Sequence, residues 1–520
     1  MNESNAHITS TFHRAASVIK SLGKVVLVNG QTIEAQLTIG GISFWDVVAP
    51  TIAFGRVAEI LSKKTSGSIL RESCRNFLRI AKRMVWDSCI SLHGNHDLVK
   101  NDTGQPYVLF LGFSKYMFRE TLQPLLEVFL KEPNFTAIVF EDFWGSPHSK
   151  YDFMGGNKSL YRAEIIRKRA REMRRKLALA RKCILRSELP MIIAGEKIPA
   201  IVLKQLLTWL CYSFLPKLIA EAAIAIHLIE FHPPLLIVSP DVHDPRTRLF
   251  CLAGKLKNVK TLEVQFGFYG ENDIEWQFFI ADHLAVTGEE NLRVMSNHGI
   301  PFSKMTVTGT SRYDKLLNSP DMFAEKIKNR LNIASEQKMV LFASQPYYYG
   351  AFSSLDIRLK MIRELFNKVS NFEKLQLVVK PHPLEDPVEL RELARGNKNI
   401  IFVEKELDIR ELIKASDAFV TFFSNTTFDA LVMNKPVINL AFPGSCANSI
   451  FETCGATFIA KTPDKIDEIF ECISDETILE LHNSLSDKRS LFLYKWFHLL
   501  DGKATERIKS VALKLLQSAQ

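Results

Sequence analysis

The sequence predicts an α/β protein: two parallel sheets, each wound on both faces by helices, with an extra lobe ahead of them. Three observations point there. Short, nearly continuous apolar runs alternate with helical patterns, above all in the second half of the chain, and strands covered on both faces read this way. The alternation breaks once, near Asn318–Ile333, with a set of strands on either side. Residues able to do chemistry collect just after the strands, where an open parallel sheet forms its ligand crevice.

Taken in order, residues 1–105 read as an N-terminal extra lobe of helices with a hairpin over Lys24–Glu34. Residues 106–320 read as the first Rossmann-like domain. Its strands are Tyr107–Gly112, Thr136–Phe140, Leu235–Pro240, Thr261–Gln265, His283–Thr287 and Met305–Thr308, and it carries a basic helical insertion over 158–230. Residues 321–483 read as the second such domain. Its strands are Met339–Ala343, Leu375–Val379, Ile400–Val403, Ala418–Phe422 and Pro436–Leu440, with helices at Arg358–Ser370, Pro387–Arg395 and Ile409–Ala415 between them. Residues 484–520 read as a helical tail. Two Rossmann-like domains facing across a cleft is the simple assembly of these sets.

Composition narrows the class. Of 520 residues, 47% are apolar and 24% charged, which excludes a mainly disordered chain, a coiled coil and a collagen-like fibre. The net charge of +9 suggests an anionic partner. The cysteines are scattered with no CxxC pair, so neither a zinc site nor a disulfide framework is expected and a reducing cytoplasm fits. Met1–Lys20 has no charged start followed by an apolar core, so no secretory leader is expected. The most apolar stretch, Ile198–Ile229, is interrupted by Lys204, Pro216, Lys217 and Glu221. A spanning helix needs about 20 mostly uncharged apolar residues, so this stretch reads as buried or interfacial helices.

Charge is concentrated in one place. Lys158–Leu189 holds twelve Lys and Arg against three acids, an excess of nine that equals the excess of the whole chain. Ile165, Ile166, Met173, Leu177, Ala180 and Ile184 recur at near-helical spacing, which gives a basic amphipathic helix. Such a helix is either a solvated face or a surface that docks on anionic lipid or an anionic polymer. It has no interleaved aromatics and no reader motif, so nucleic acid is not expected.

Six strand ends carry the candidate chemistry. Val378-Val379-Lys380-Pro381-His382-Pro383 ends a strand with a histidine held between two prolines, and Lys380 and His382 can both face a phosphate. The plain alternative is a strand-end turn. After Ala418–Phe423, Ser424-Asn425-Thr426-Thr427 leads into a helix containing Asp429. Ser424 or Asn425 suits an N-cap, and the free N–H groups and hydroxyls form an anion site. The run Thr308-Gly309-Thr310-Ser311-Arg312-Tyr313-Asp314 places a Gly turn, an Arg and an Asp where the two halves join; a linker turn with a surface ion pair is its alternative. Asp241, His243 and Asp244 follow the strand ending at Pro240, and Gln265-Phe266-Gly267 follows the next. Glu141 and Asp142 follow Phe140 and could act as a base or bind a polyol, or be solvated acids in a turn.

Together, Gln265-Phe266-Gly267, Ala281-Asp282, Thr287-Gly288-Glu289, Val307–Asp314, Lys380–Pro383, Ser424–Asp429 and Lys435-Pro436-Val437-Ile438 resemble the bacterial surface and capsular polysaccharide transferases. That group includes capsule-type Kdo transferases, polysialyltransferase-like enzymes and CDP-glycerol glycerophosphotransferases. The resemblance covers about Pro233 to Phe442 and implies GT-B architecture, with the nucleotide donor in the cleft. It implies a catalytic or phosphate-contacting His382, with Ser424, Thr426 and Thr427 on the donor phosphate and Asp429 near the ribose or the phosphate-binding backbone. Lys380, Asn425, Gly309, Arg312 and Gln265 complete the expected donor set. Phe266 stands where those families often carry histidine and cannot act as a base, so Asp241, His243, Glu141 or Asp142 would have to serve. No DxD-type metal site is expected, and no cofactor beyond the nucleotide-linked substrate.

The function so implied is transfer of a sugar from a CMP- or UDP-linked donor to a bacterial surface polysaccharide or lipid-linked glycan. The alternatives are transfer of a polyol phosphate from a CDP-polyol, and a non-catalytic scaffold that binds nucleotide or polymer; a nucleotide-sugar 2-epimerase shares the fold and is the weakest choice. The expected partners are a nucleotide-activated sugar or polyol, a glycan or lipid-linked acceptor, and an anionic membrane surface engaged through 158–189. The expected location is the cytoplasm, with peripheral attachment to the inner face of the cytoplasmic membrane.

Overall fold

The computed structural model describes residues 3–62, 105–141, 164–240, 243–271, 273–317, 324–347, 352, 354–383, 385–403, 407–422, 424–445 and 450–518. The chain divides into two compact units. An N-terminal unit comprises Ala6–Leu317 with Phe497–Gln520, and a C-terminal unit comprises Asn318–Trp496 with Met1–Asn5.

The N-terminal unit holds a six-stranded sheet of β1 (Tyr107–Gly112), β2 (Thr136–Glu141), β3 (Leu236–Ser239), β4 (Lys260–Val264), β5 (His283–Val286) and β6 (Met305–Val307), in the order β6-β5-β4-β3-β1-β2. Every neighbouring pair is parallel. All six residues of β1 are buried, as a strand covered on both faces requires. The chain winds from β1 outward to β2, then crosses to β3, so the winding reverses between the carboxyl ends of β1 and β3.

The C-terminal unit repeats the plan. Its sheet contains β7 (Lys338–Ala343), β8 (Leu375–Lys380), β9 (Ile400–Phe402), β10 (Ala418–Thr421), β11 (Val437–Leu440) and β12 (Phe458–Ala460), in the order β9-β8-β7-β10-β11-β12. All pairs are again parallel. Here the winding reverses between β7 and β10, the position where open α/β sheets bind ligands. The edge strand β12 carries no strong pattern in sequence, because three residues are too few to show one.

Residues 15–58 do not form a lobe of their own. Ala15, Ile19, Phe44, Trp45 and Val48 share one hydrophobic core with Leu109, Leu111 and the helices α2 (Glu164–Arg186) and α3 (Leu215–Phe231). Arg248, on α4 (Pro245–Lys255), is fully buried and donates from Nε to the carbonyl of Asp46 (2.7 Å), tying the early segment to the sheet's own helix layer. The hairpin expected over Lys24–Glu34 is a single antiparallel bridge, Val26 to Thr32. The tail is also divided. Helix α8 (Ser486–Phe497) packs in the C-terminal unit, where the Phe492 ring stacks on Phe428 at 5.6 Å. Helix α9 (Ala504–Gln517) belongs to the N-terminal unit, with Ile508, Val511 and Ala512 in one core with Val108, Phe129 and Val238.

The basic segment is a helix from Glu164 to Arg186, and residues 158–163 lie outside the described ones. Its apolar stripe is Ile166, Ala170, Met173, Leu177, Ala180 and Ile184, all buried. Ile165, expected in that stripe, is 45% exposed. The buried stripe of the amphipathic helix is therefore packed in the protein's core, and of its larger apolar side chains Ile165 and Leu179 remain exposed. No helix among the described residues is long and apolar enough to cross a membrane.

Candidate active site

In the C-terminal unit, β8 ends at Lys380, which is 9% exposed. The next residues turn tightly. The peptide N–H of Glu385 donates to the carbonyl of His382 (2.9 Å), while the His382 N–H donates to Glu385 Oε2 (3.3 Å). The Glu385 carboxylate sits at the centre of a buried network. It accepts from Ser344 Oγ, just past the end of β7, and pairs with the Arg358 guanidinium. Arg358 lies on α5 (Leu355–Val369), 1% exposed, and also donates from Nε to the Gln345 carbonyl (2.7 Å) and lies 3.3 Å from Glu389. The ends of β7 and β8 and the helix between them are thus bound to one carboxylate. That fixes the backbone of the turn and leaves the His382 ring half-buried and partly accessible. Burial lowers the affinity of the imidazole for a proton, so at neutral pH it is mostly neutral. A neighbouring phosphate would raise that affinity again.

Beside β7 on the other side, Thr421 at the end of β10 donates from Oγ1 to the Ala343 carbonyl (3.1 Å). The chain then turns through Ser424 and Asn425 into α7 (Thr426–Val432). The Thr427 and Phe428 N–H groups donate to the Ser424 and Asn425 carbonyls (2.9 and 3.1 Å), and the Thr426 N–H lies 3.4 Å from Ser424 Oγ. Asn425 occupies the N-cap but its side chain makes no cap bond. The hydroxyls of Thr426 and Thr427 are shut off from solvent and have no hydrogen-bond partner among the described residues, and Thr427 is wholly buried. Orphaned buried hydroxyls at a ligand-binding strand edge are candidates for bonding a ligand.

Asp429 stands differently from its expected place on the donor. It is fully buried, with Oδ1 3.7 Å from Arg410 Nε on α6 (Ile409–Ala415). It braces the start of α7 against its neighbour.

The N-terminal unit holds the remaining expected donor residues, and there each is bound within the unit. Gln265 is 2% exposed; its Nε2 donates to the Gly267 carbonyl (2.6 Å) and to Asn291 Oδ1 (2.8 Å), and its Oε1 accepts from the Thr287 N–H (3.1 Å). This amide joins the ends of β4 and β5, which makes it a positioning residue. Gly309 has φ +81°, and a Cβ there would meet Ala504 Cβ and the Phe497 carbonyl at 3.2 Å and Arg507 Nη2 at 3.1 Å. Glycine is needed there so that the returning tail can pass. Arg312 is nearly buried with its Nε 3.7 Å from the buried Glu120 carboxylate. Asp314, expected as a possible surface partner of Arg312, accepts instead from the N–H groups of Ala504 and Thr505 (3.1 and 2.7 Å) and starts α9.

The catalytic set expected in this unit also changes. Both His243 ring nitrogens are closed to solvent, and the ring stands edge-on to Trp276 at 4.8 Å and to Tyr269 at 6.2 Å. Burial, with Arg248 and His298 nearby, pushes its pKa down to about 3. It is a core histidine whose ring nitrogens are closed to solvent, and it holds a proton too weakly to be an effective base at neutral pH. Glu141 ends β2, its side chain outside the description, and Asp142 and Asp241 lie outside the described residues altogether. Phe266 packs edge-on to Tyr116 at 5.5 Å.

Sequence reasoning missed Ser344, Gln345, Arg358, Glu385 and Arg410. Glu385 follows His382 by three residues, the spacing of a tight turn, and that was the one local signal available.

Two doubly wound parallel units, the second with polar residues at its switch point, define the α/β class of this protein. Residues 275–514 match the profile of the family described as CDP-Glycerol:Poly(glycerophosphate) glycerophosphotransferase, just under half of the chain. A teichoic acid glycerol-phosphate transferase of Staphylococcus aureus (strain NCTC 8325 / PS 47) is 22% identical over 271 residues, which is 50% of this chain and 66% of the relative. The chain thus spans just under two thirds of that relative's length. Among solved structures, a UDP-N-acetylglucosamine 2-epimerase matches at a TM-score of 0.49 and 15% identity, covering 79% of this chain and 95% of its own. A variant of the wall teichoic acid polymerase TagF matches at a TM-score of 0.48 and 14% identity, covering 86% and 98%. Structural likeness at this level says nothing of the reaction.

Proposed function

We propose that the protein transfers a polyol phosphate, glycerol phosphate being the simplest, from a CDP-linked donor to a hydroxyl of a cell-envelope acceptor. The observation that carries this reading is the glycerophosphotransferase match over 275–514, which takes in both Lys380–Pro383 and Ser424–Asp429. It favours polyol-phosphate transfer over the sugar transfer that the sequence first suggests. The acceptor hydroxyl attacks the donor phosphorus that bears the polyol. A new P–O bond forms, the P–O bond to CMP breaks, CMP leaves with that electron pair, and the acceptor's proton is released. Lys380 and His382 face the diphosphate, and the hydroxyls of Ser424, Thr426 and Thr427 bond its oxygens. Such donors stabilise the charge that gathers on the leaving phosphate. Asn425 stands at the same turn, and Asp429 supports it from behind.

The test is nucleotide release from CDP-glycerol, CDP-ribitol, a CMP-sugar and UDP-N-acetylglucosamine in the presence of a polyol-phosphate primer. CMP released from the CDP-polyols, with primer extension, is the expected result. Release only from the CMP-sugar or the UDP-sugar would replace this reading with glycosyl transfer. Binding without release from any donor would make the protein a scaffold. A thermal-shift panel with CMP, CDP, UDP and GDP ranks the nucleotides first, since a ligand bound only by the folded state raises its stability.

A further inference from the structure

Helix α2 presents two unlike faces. The stripe Ile166, Ala170, Met173, Leu177, Ala180 and Ile184 is buried. On the opposite side Lys168, Arg171, Arg175, Lys182 and Arg186 are all exposed. At about 100° per residue these five fall within an arc of roughly 60°, and at about 1.5 Å rise per residue they extend over some 27 Å. Lys176, also exposed, stands about 80° round the helix from Lys168, with the exposed Glu172 between them. Arg171 shares Glu164 with Arg167, but Lys168, Arg175, Lys176, Lys182 and Arg186 have no carboxylate partner among the described residues. The helix is fixed at its flanks by the ion pair of Arg169 with Glu230 and by the Arg181 guanidinium 4.1 Å from the Tyr212 ring.

We propose that this cationic line holds a polyanionic acceptor, a flexible chain with one phosphodiester per repeat, while its end is extended. The inference rests on the polyol-phosphate reading above for the identity of the chain. The choice of occupant follows from the faces. A lipid interface is entered by apolar side chains set among cations, and on this line Leu179, 68% exposed, stands as a single apolar residue. Single-stranded nucleic acid is held by aromatic side chains interleaved with cations, and the line has none. A phosphodiester chain needs only a row of cations, and Arg binds phosphate through two N–H groups at once. Holding the chain lets one acceptor be extended repeatedly before release.

The probe is long-chain inorganic polyphosphate, and the variant combines Lys168→Gln, Arg175→Gln, Lys176→Gln, Lys182→Gln and Arg186→Gln. The full-length parent should bind polyphosphate, with log affinity falling linearly in log salt because bound counterions are released. The variant should bind at least tenfold more weakly and show a shallower salt slope. Its thermal shift with CDP should match the parent's, which also reports that it is folded. A second variant that exchanges each of the five for the other basic residue should restore binding. Equal binding by parent and variant, or none by either, overturns the proposal. So does flotation of the parent with phosphatidylglycerol vesicles at low salt without polyphosphate binding, which assigns the face to a membrane. Single-stranded DNA displacing polyphosphate at lower concentration also overturns it. Failure of the reaction itself appears separately, as CDP-glycerol left intact with any primer. If the reaction proceeds, the Gln variant should make shorter products on long primers and extend a one-unit primer at the parent's rate.

Discussion

At the carboxyl edge of the N-terminal sheet, Gln265, Gly309 and Arg312 are each bound to another part of the same unit. At that of the C-terminal sheet, the Glu385 network holds the backbone of the His382 turn, while the hydroxyls of Thr426 and Thr427 have no partner among the described residues. The two sheets share a winding plan, so the difference comes from the side chains placed just after the strands. Among the described residues, the first edge is held by contacts within its own unit. The other is a frame held by a buried carboxylate, with two buried hydroxyls beside it that have no partner among the described residues.

The largest effect should come from the frame. Glu385→Ala leaves the buried Arg358 without its closest carboxylate, and breaking a buried pair costs about 3–5 kcal/mol. Urea melts that follow the C-terminal unit should show that loss. A loss under about 1 kcal/mol would mean that Glu389 alone satisfies Arg358 and that the frame is weaker than drawn. Next comes His382→Ala, expected to lower donor turnover by about a hundredfold or more if the ring acts on the leaving phosphate. In the parent, nucleotide affinity should rise as pH falls through the titration of His382, because the cationic ring favours an anion, and the variant should lose that rise. Turnover within about twofold of the parent would remove His382 from the catalytic set.

Thr427→Val gives a sharper contrast. The hydroxyl is buried and has no partner among the described residues, so replacing it by a methyl of the same shape should leave the fold as stable or more so. If the hydroxyl bonds the donor phosphate, nucleotide affinity falls by about 1–3 kcal/mol, the range for a lost bond to a charged group. Calorimetry with CDP decides: unchanged affinity, also after Ser424→Ala, would leave both residues with a local role in the turn.

Much of this was legible in the sequence, for physical reasons that also mark where legibility stops. Runs such as Leu375–Val379 and Ala418–Phe422 announce strands because both sheet faces are covered. The basic helix was legible as a helix, but Ala170 rather than Ile165 fills its stripe, since one position of rotation is below what composition resolves. The Lys380–Pro383 and Ser424–Thr427 turns were found because they follow strands directly. Arg358 and Glu385 were not, because a buried ion pair joins residues from separate elements and leaves no periodic trace. His243 reads as catalytic beside two aspartates, and the ring that buries it, Trp276, is distant in sequence. The early segment looked separate because its packing against α2 and α4 is entirely long-range.

The last comparison sets the units against each other through a buried histidine in each. The pKa of His243 is pushed down to about 3, and that of His482, buried in the C-terminal unit beside Arg489, to about 4. An unfolded chain protonates histidine near 6.5. Below that pH the unfolded state takes up a proton that the folded state refuses, so stability falls as pH falls. The slope for each group approaches about 1.4 kcal/mol per pH unit. It should persist toward pH 3 for His243 and level off near pH 4 for His482. His243→Phe, whose ring can pack on Trp276 and Tyr269, should flatten the acid limb of the N-terminal unit and leave the C-terminal one unchanged. Urea melts at pH 7.5, 6.5, 5.5 and 4.5 read both limbs. An acid limb of the N-terminal unit unaltered by His243→Phe would mean that water reaches this ring and would reopen its claim to act as a base.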